Sequence, residues 1–169
     1  MRHLALCIFG PDRPGIVEKI SRLVFDFQGH WQGASLAHLA GRFAGIIEVQ
    51  VPDEQRPAFE AALHELEELD IRIAEGQQMP GQPGKGYGLK LSLVANDRPG
   101  IVQELTHNLG HFDVNIEEMS TQREPAHNYG ELFRAQARLR VPLNVSEDDI
   151  RTRLEGVADD WMLELERLD

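Results

Sequence analysis

The chain has 169 residues, with 17 Lys and Arg against 28 Asp and Glu, for a formal charge of −11. That length allows one large or two small domains, and the acidity argues against a large direct contact with DNA or RNA, which needs a basic patch. The single cysteine, Cys7, excludes an intrachain disulfide and a cysteine metal cluster.

The first element is a strand over residues 2–9, where Leu4, Leu6 and Ile8 recur with the period of a half-buried sheet. Cys7 falls inside this pattern and is expected to be a buried structural thiol. Gly10-Pro11-Asp12-Arg13 cuts the apolar run short, so it reads as a strand and not as a signal segment. No stretch is long and apolar enough to span a bilayer, and a cytoplasmic location is expected. A helix is predicted from Pro14, placed in its first turn, to about Gln28, with Gly29 at its exit. A second strand follows from His30 to about Leu39, and a third from Phe43 to Val51, stopped by Pro52-Asp53. A second helix carries Phe59, Leu63 and Leu66, and Leu69 to about Glu75 forms the last strand of this half.

The stretch from Met79 to Gly86 is almost wholly Pro, Gly and polar residues and is predicted to be a linker between domains at 1–78 and 87–169. The order then repeats. A strand runs from Tyr87 to Val94, a helix from Pro99 to about Phe112, and strands from Asp113 to about Thr121 and from about Glu131 to Val141. Ser146-Glu147-Asp148-Asp149 resembles a capping box ahead of a helix with Ile150, Leu154 and Val157. Trp161 to Leu168 closes the unit.

The repeat is also literal. Asp12-Arg13-Pro14-Gly15-Ile16-Val17 returns as Asp97-Arg98-Pro99-Gly100-Ile101-Val102, a shift of 85 residues. At the same shift Leu4, Leu6 and Ile8 map onto Leu89, Leu91 and Leu93, and Ile16, Ile20, Val24 and Phe27 onto Ile101, Leu105, Leu109 and Phe112. By Val141 against Val51 the shift has grown to 90, which puts five extra residues in the hairpin around Arg123 to Gly130. Each half therefore reads β-α-β-β-α-β. The fold class is α+β, two tandem ferredoxin-like units whose helices share one sheet face. The other face is left bare, a liability relieved by pairing edges or faces.

The repeated motif has a chemical reading. Where a strand turns into a helix, free backbone N–H groups point into the loop beside the positive end of the helix dipole. Gly100 lets a ligand approach the backbone, a carboxylate can sit on such a tip, and Asp97 can meet an ammonium group. The two charges of a free amino acid are then both answered. The same pattern is also an ordinary helix start.

Asp-Arg-Pro-Gly-Ile-Val after a short strand, with Asn115-Ile116 opening the next strand, resembles the ACT domain. The resemblance covers nearly the whole chain as two tandem units, in an arrangement similar to the glycine cleavage system transcriptional repressor family. It implies the ferredoxin-like fold and binding of small effectors, commonly amino acids, at interfaces between paired domains. In ACT domains that bind amino acids, the loop acid or amide, the loop Gly and the Asn after the helix contact the ligand. Here that implies Asp97, Gly100 and Asn115, flanked by Arg98, Ile101 and Ile116, and in the first half Asp12, Gly15 and Ile16. The first half departs at His30-Trp31, where Asn115-Ile116 stands in the second; an imidazole cannot copy both the donor and the acceptor of an amide. The two loops are therefore not expected to be equivalent. Formyltetrahydrofolate deformylases also begin with such a domain, but a catalytic domain of that kind is not expected here.

The remaining features are plainer. His107 and His111 stand one turn apart and read as a solvated helix face, since no further ligand completes a set. Arg134, Arg138 and Arg140 alternate with Phe133, Ala135, Ala137 and Leu139, giving a basic strand face that is either balanced by nearby acids or a docking surface. Glu65, Glu67, Glu68 and Asp70 form a soluble face. No Ser-His-Asp set, P-loop, dinucleotide fingerprint or helix-turn-helix is present. The expectation is a non-enzymatic regulator without cofactor or metal. It senses a small amino acid, glycine by the resemblance, and acts on a transcriptional activator by protein contact, without membrane or direct nucleic-acid contact, a homo-oligomer being compatible with this. The alternatives are a stand-alone allosteric subunit of a metabolic enzyme, a small metal or folate enzyme, and a scaffold without ligand.

Overall fold

The computed structural model describes residues 1–76, 86–126 and 130–168. The chain divides into two compact units, Met1–Pro80 and Gly81–Asp169. In the first, β1 is Arg2–Pro11, α1 Ile16–Asp26, β2 His30–Leu39, β3 Arg42–Val51, α2 Arg56–His64 and β4 Asp70–Glu75. In the second, β5 is Gly86–Asn96, α3 Ile101–Gly110, β6 Asn115–Pro125, β7 Glu131–Pro142, α4 Glu147–Glu155 and β8 Met162–Leu168. The sheets run β2-β3-β1-β4 and β6-β7-β5-β8, with antiparallel pairing throughout. Each unit is thus the βαββαβ, ferredoxin-like α+β fold that the sequence predicts.

Alternation builds both cores. Leu4, Leu6 and Ile8 of β1 and Ile47, Val49 and Val51 of β3 turn to one face, where they meet Ile16, Ile20 and Val24 of α1 and Phe59 and Leu63 of α2. In the second unit Leu89, Leu91 and Leu93 meet Ile101, Leu105 and Leu109, with Ile150 and Leu154 from α4. Burying each such side chain contributes about 2 kcal/mol. The duplicated periodicity therefore becomes two separate cores of the same plan.

The same alternation overturns the expectation for Cys7. Its neighbours Leu6 and Ile8 point inward, so Cys7 points to the opposite face and is exposed. The linker expected at 79–86 lies outside the described residues as far as Lys85, while Gly86 is already in β5, opposite Pro142. Part of the hairpin insertion, residues 127–129, also lies outside them, and Arg123 to Pro125 simply lengthen β6. At the helix exits the left-handed residues are Gln28 and Asp113, φ 55 and 54, one position before the expected Gly29. Leu66 lies beyond the end of α2 but still packs against the core. A bulge between Trp31 and Gly33 recurs between Ile116 and Glu118. No helix among the described residues is long and apolar enough to cross a membrane.

Candidate functional site

Pro-Gly dictates the local geometry of the repeated loop. Gly15 has φ 89 and ψ 0, and Gly100 has φ 89 and ψ −6. These are the angles of the third residue of a type II turn, whose second position suits proline. In the second unit the Ile101 N–H donates to the Arg98 carbonyl at 3.4 Å and closes that turn. The helices consequently begin at Ile16 and Ile101, and Pro14 and Pro99 belong to the turn, not to the first helical turn as expected.

A Cβ built on either glycine would meet nothing within 4 Å. Backbone angle therefore requires the glycine, and the space in front of the turn is open. Neither α1 nor α3 has a side-chain cap. α4 differs, because there Ser146 Oγ accepts the Asp149 N–H at 3.1 Å. The tips of α1 and α3 keep the donor character and positive dipole end that an anion can use.

The acid of each loop is tied to the hairpin of its own unit. Asp97 Oδ2 lies 2.7 Å from Arg123 Nε, and the Asp97 N–H donates to the Glu131 carbonyl at 2.8 Å. Asp12 Oδ2 lies 3.6 Å from His38 Nε2, and the Asp12 N–H donates to the Gly41 carbonyl at 3.2 Å. Arg123 stands 85 residues after His38, the shift of the motif itself, and Glu131 stands 90 after Gly41, the shift beyond the insertion. Sequence reasoning missed Arg123 and His38, although the shift that revealed the motif would have paired them.

The loop arginines part company. Arg98 donates to both carboxylate oxygens of Glu104, at 2.7 and 2.5 Å. Its guanidinium holds the Glu104 carboxyl below the usual carboxylate range. Arg13 instead reaches Glu68 at 3.3 Å, beside Lys19 at 2.5 Å, and Lys19 leads in holding the Glu68 carboxyl low.

The candidate residues divide into two groups. Asp97, Arg98, Gly100 and Ile101 sit together at one end of their sheet, as Asp12, Gly15 and Ile16 do at theirs. The side chains of Ile16 and Ile101 are core, so only their backbones face the turn. Asn115 lies elsewhere. It opens β6 opposite Arg140, which pairs with Gly88 near the start of β5, whereas Asp97 follows the end of β5. At about 3.3 Å per residue, Gly88 and Asp97 are about 30 Å apart. Ile116 shares the far end with Asn115, and His30, opposite Gln50, holds the corresponding place in the first unit.

The basic strand face is balanced within its sheet. Arg134 pairs with Glu124, Arg138 with Glu117 and Glu118, and Arg140 with Glu117 at 3.0 Å. His107 and His111 are both exposed.

Residues 2–74 match the family model of the ACT domain. No curated protein matches the chain. Among solved structures, an unknown protein from Galdieria sulphuraria is 24% identical with a TM-score of 0.83, the match covering 99% of each chain. A candidate glycine cleavage system transcriptional repressor is 17% identical with a TM-score of 0.68, over 99% of this chain and 98% of that one. At these identities the likeness is one of fold. The match to the ACT domain thus spans residues 2–74, and a second unit of the same ferredoxin-like fold follows it.

Proposed function

We propose that the chain is a regulatory protein that senses a small amino acid and passes the signal to a protein partner. The observation that carries this reading is the uncapped helix tip behind an open type II turn, made twice by the same six residues. Such a tip suits the carboxylate of a zwitterion, and Asp97 beside it suits the ammonium group. The seat then comprises Asp97, Arg98, Gly100 and the Ile101 backbone, with Asp12, Gly15 and Ile16 as a divergent counterpart. Asn115 and Ile116 join the seat only if a second copy of the chain lies antiparallel along β6, which brings its far end to this loop.

Glycine is the effector we favour, and transcriptional repression of the glycine cleavage type is the role, by analogy with the protein of similar fold. The net charge of −11 favours control through a transcription factor over operator binding. The cytoplasm is the compartment such a task requires. No cofactor and no catalytic step enter this role. The mechanism is linkage: the effector binds one state of the regulator better and shifts partner affinity by that difference. Titration of the full chain with a panel of amino acids by calorimetry tests it, and co-purification with a transcriptional activator, changed by the effector, tests the partner.

A further inference from the structure

The outer faces of the two sheets, away from the helices, differ in character. On the second, cations meet acids of the same sheet, as in the Arg134 and Arg138 pairs and in Lys90 with Glu166. On the first, the middle is apolar. Cys7 lies opposite Ile46, Phe9 opposite Ala44, and Ala5 opposite Glu48. Phe9 is 51% exposed and Ile46 54%, far more than strand residues facing a core. β4 sets Arg72 beside Cys7 and Asp70 beside Phe9. Arg42, one step further along β3, lies with its guanidinium 5.9 Å from the Phe9 ring centre. Among the described residues Arg42, Asp70 and Arg72 make no ion pair. A contiguous apolar patch rimmed by uncompensated charge is the anatomy of an interface.

The pattern of that rim selects the occupant. We propose that this face docks a second copy of the chain, sheet against sheet, about a two-fold axis that crosses the strands between the Cys7–Ile46 row and the Phe9–Ala44 row. Such an axis reverses the order of the rows. Cys7 then meets the partner's Phe9, and Ile46 meets the partner's Ala44, so a large side chain faces a small one each time. Arg72 meets the partner's Asp70. Arg42, one row beyond Phe9, meets the partner's Glu48, one row beyond Cys7. Every contact occurs twice, as an isologous interface demands. Sheets packed face to face stand about 10 Å apart with strands aligned to about 30°, which keeps these central rows in register. The contact is independent of the amino-acid seat and does not use its residues.

Two measurements on the full chain test this. Sedimentation equilibrium is expected to give twice the 19.1 kDa chain mass, and the reaction of Cys7 with a thiol reagent is expected to slow as protein concentration rises. Arg72→Asp and Asp70→Arg are each expected to weaken self-association by about tenfold or more, because like charges then face each other. Both positions are exposed, and circular dichroism checks that the variants stay folded. An equimolar mixture of the two variants is expected to associate again, since each supplies the charge the other lacks. A chain that is monomeric throughout, a Cys7 rate independent of concentration, variants that associate like the wild type, or a mixture that does not recover would each overturn the proposal.

Discussion

Asp97 and Arg123 form an ion pair, Oδ2 to Nε, of 2.7 Å that joins the loop ahead of α3 to the β6–β7 hairpin. In the first unit Asp12 and His38 hold the same two positions at 3.6 Å. The loop acid of the proposed seat thus already has a partner: a permanent positive charge in the second unit and a histidine in the first. An incoming ammonium group competes with Arg123 for Asp97. Asp97→Asn should therefore weaken amino-acid binding by about tenfold or more, the worth of a charged hydrogen bond. Arg123→Met should strengthen it a few-fold by removing the competitor. Calorimetry on both variants reads the two opposite signs; the same sign in both would take Asp97 out of the seat.

The glycine of the turn is a matter of backbone angle. Gly100→Ala should cost about 1–2 kcal/mol, the penalty of a left-handed backbone for a residue with a Cβ, and Gly15→Ala a similar amount. Gly45→Ala should cost more, for a different reason: its Cβ would lie 2.3 Å from the Ser35 carbonyl oxygen of the neighbouring strand. Urea unfolding ranks the three. A neutral Gly100→Ala would mean that the turn relaxes to another form.

Ser146 and Asp149 close a reciprocal cap on α4. The Ser146 hydroxyl donates to Asp149 Oδ2 at 2.6 Å and the Ser146 N–H at 2.9 Å. These bonds, the hydroxyl first, hold the Asp149 carboxyl below its ordinary range. A depressed carboxyl contributes stability above its unfolded-state value, and that contribution is lost as the pH falls through the folded value. The loss from this group therefore lies below the ordinary aspartate range near about pH 4. Ser146→Ala should cost about 1 kcal/mol at neutral pH and flatten part of the acid limb. Unfolding curves at neutral and acid pH check both; an unchanged acid limb would remove Asp149 from it.

Asn115 tests whether the seat is shared. Standing about 30 Å along the sheet from Asp97 of its own unit, it reaches a ligand only across an interface. Asn115→Ala should weaken binding without lowering the thermal midpoint, because the side chain is exposed. Equal affinity in variant and wild type would confine the seat to the loop and helix tip.

The fold was legible because periodicity carries it. Leu4, Leu6, Ile8 and their partners at the 85-residue shift predict strands and cores that the structure bears out. The boundaries shifted where two residues compete for one task. Proline is good in a first helical turn and equally good in a turn before a glycine, and the glycine's positive φ decided for the latter. Cys7 was misread because cysteine is usually buried, although its parity in β1 already pointed it outward. Asn115 was grouped with Asp97 through the family resemblance alone; the antiparallel course of the chain separates them within a unit, and a linear motif does not show that. Arg123 and His38 escaped notice because ion pairs between a loop and a distant hairpin have no local pattern.

The central claim is that the uncapped helix tip behind the Asp-Arg-Pro-Gly turn holds a free amino acid. Calorimetric titration of the full chain with glycine and a panel of other amino acids tests it most directly. Saturable binding by at least one of them, weakened by Asp97→Asn, is the predicted result. No saturable heat with any amino acid across the panel, at several temperatures, would contradict it.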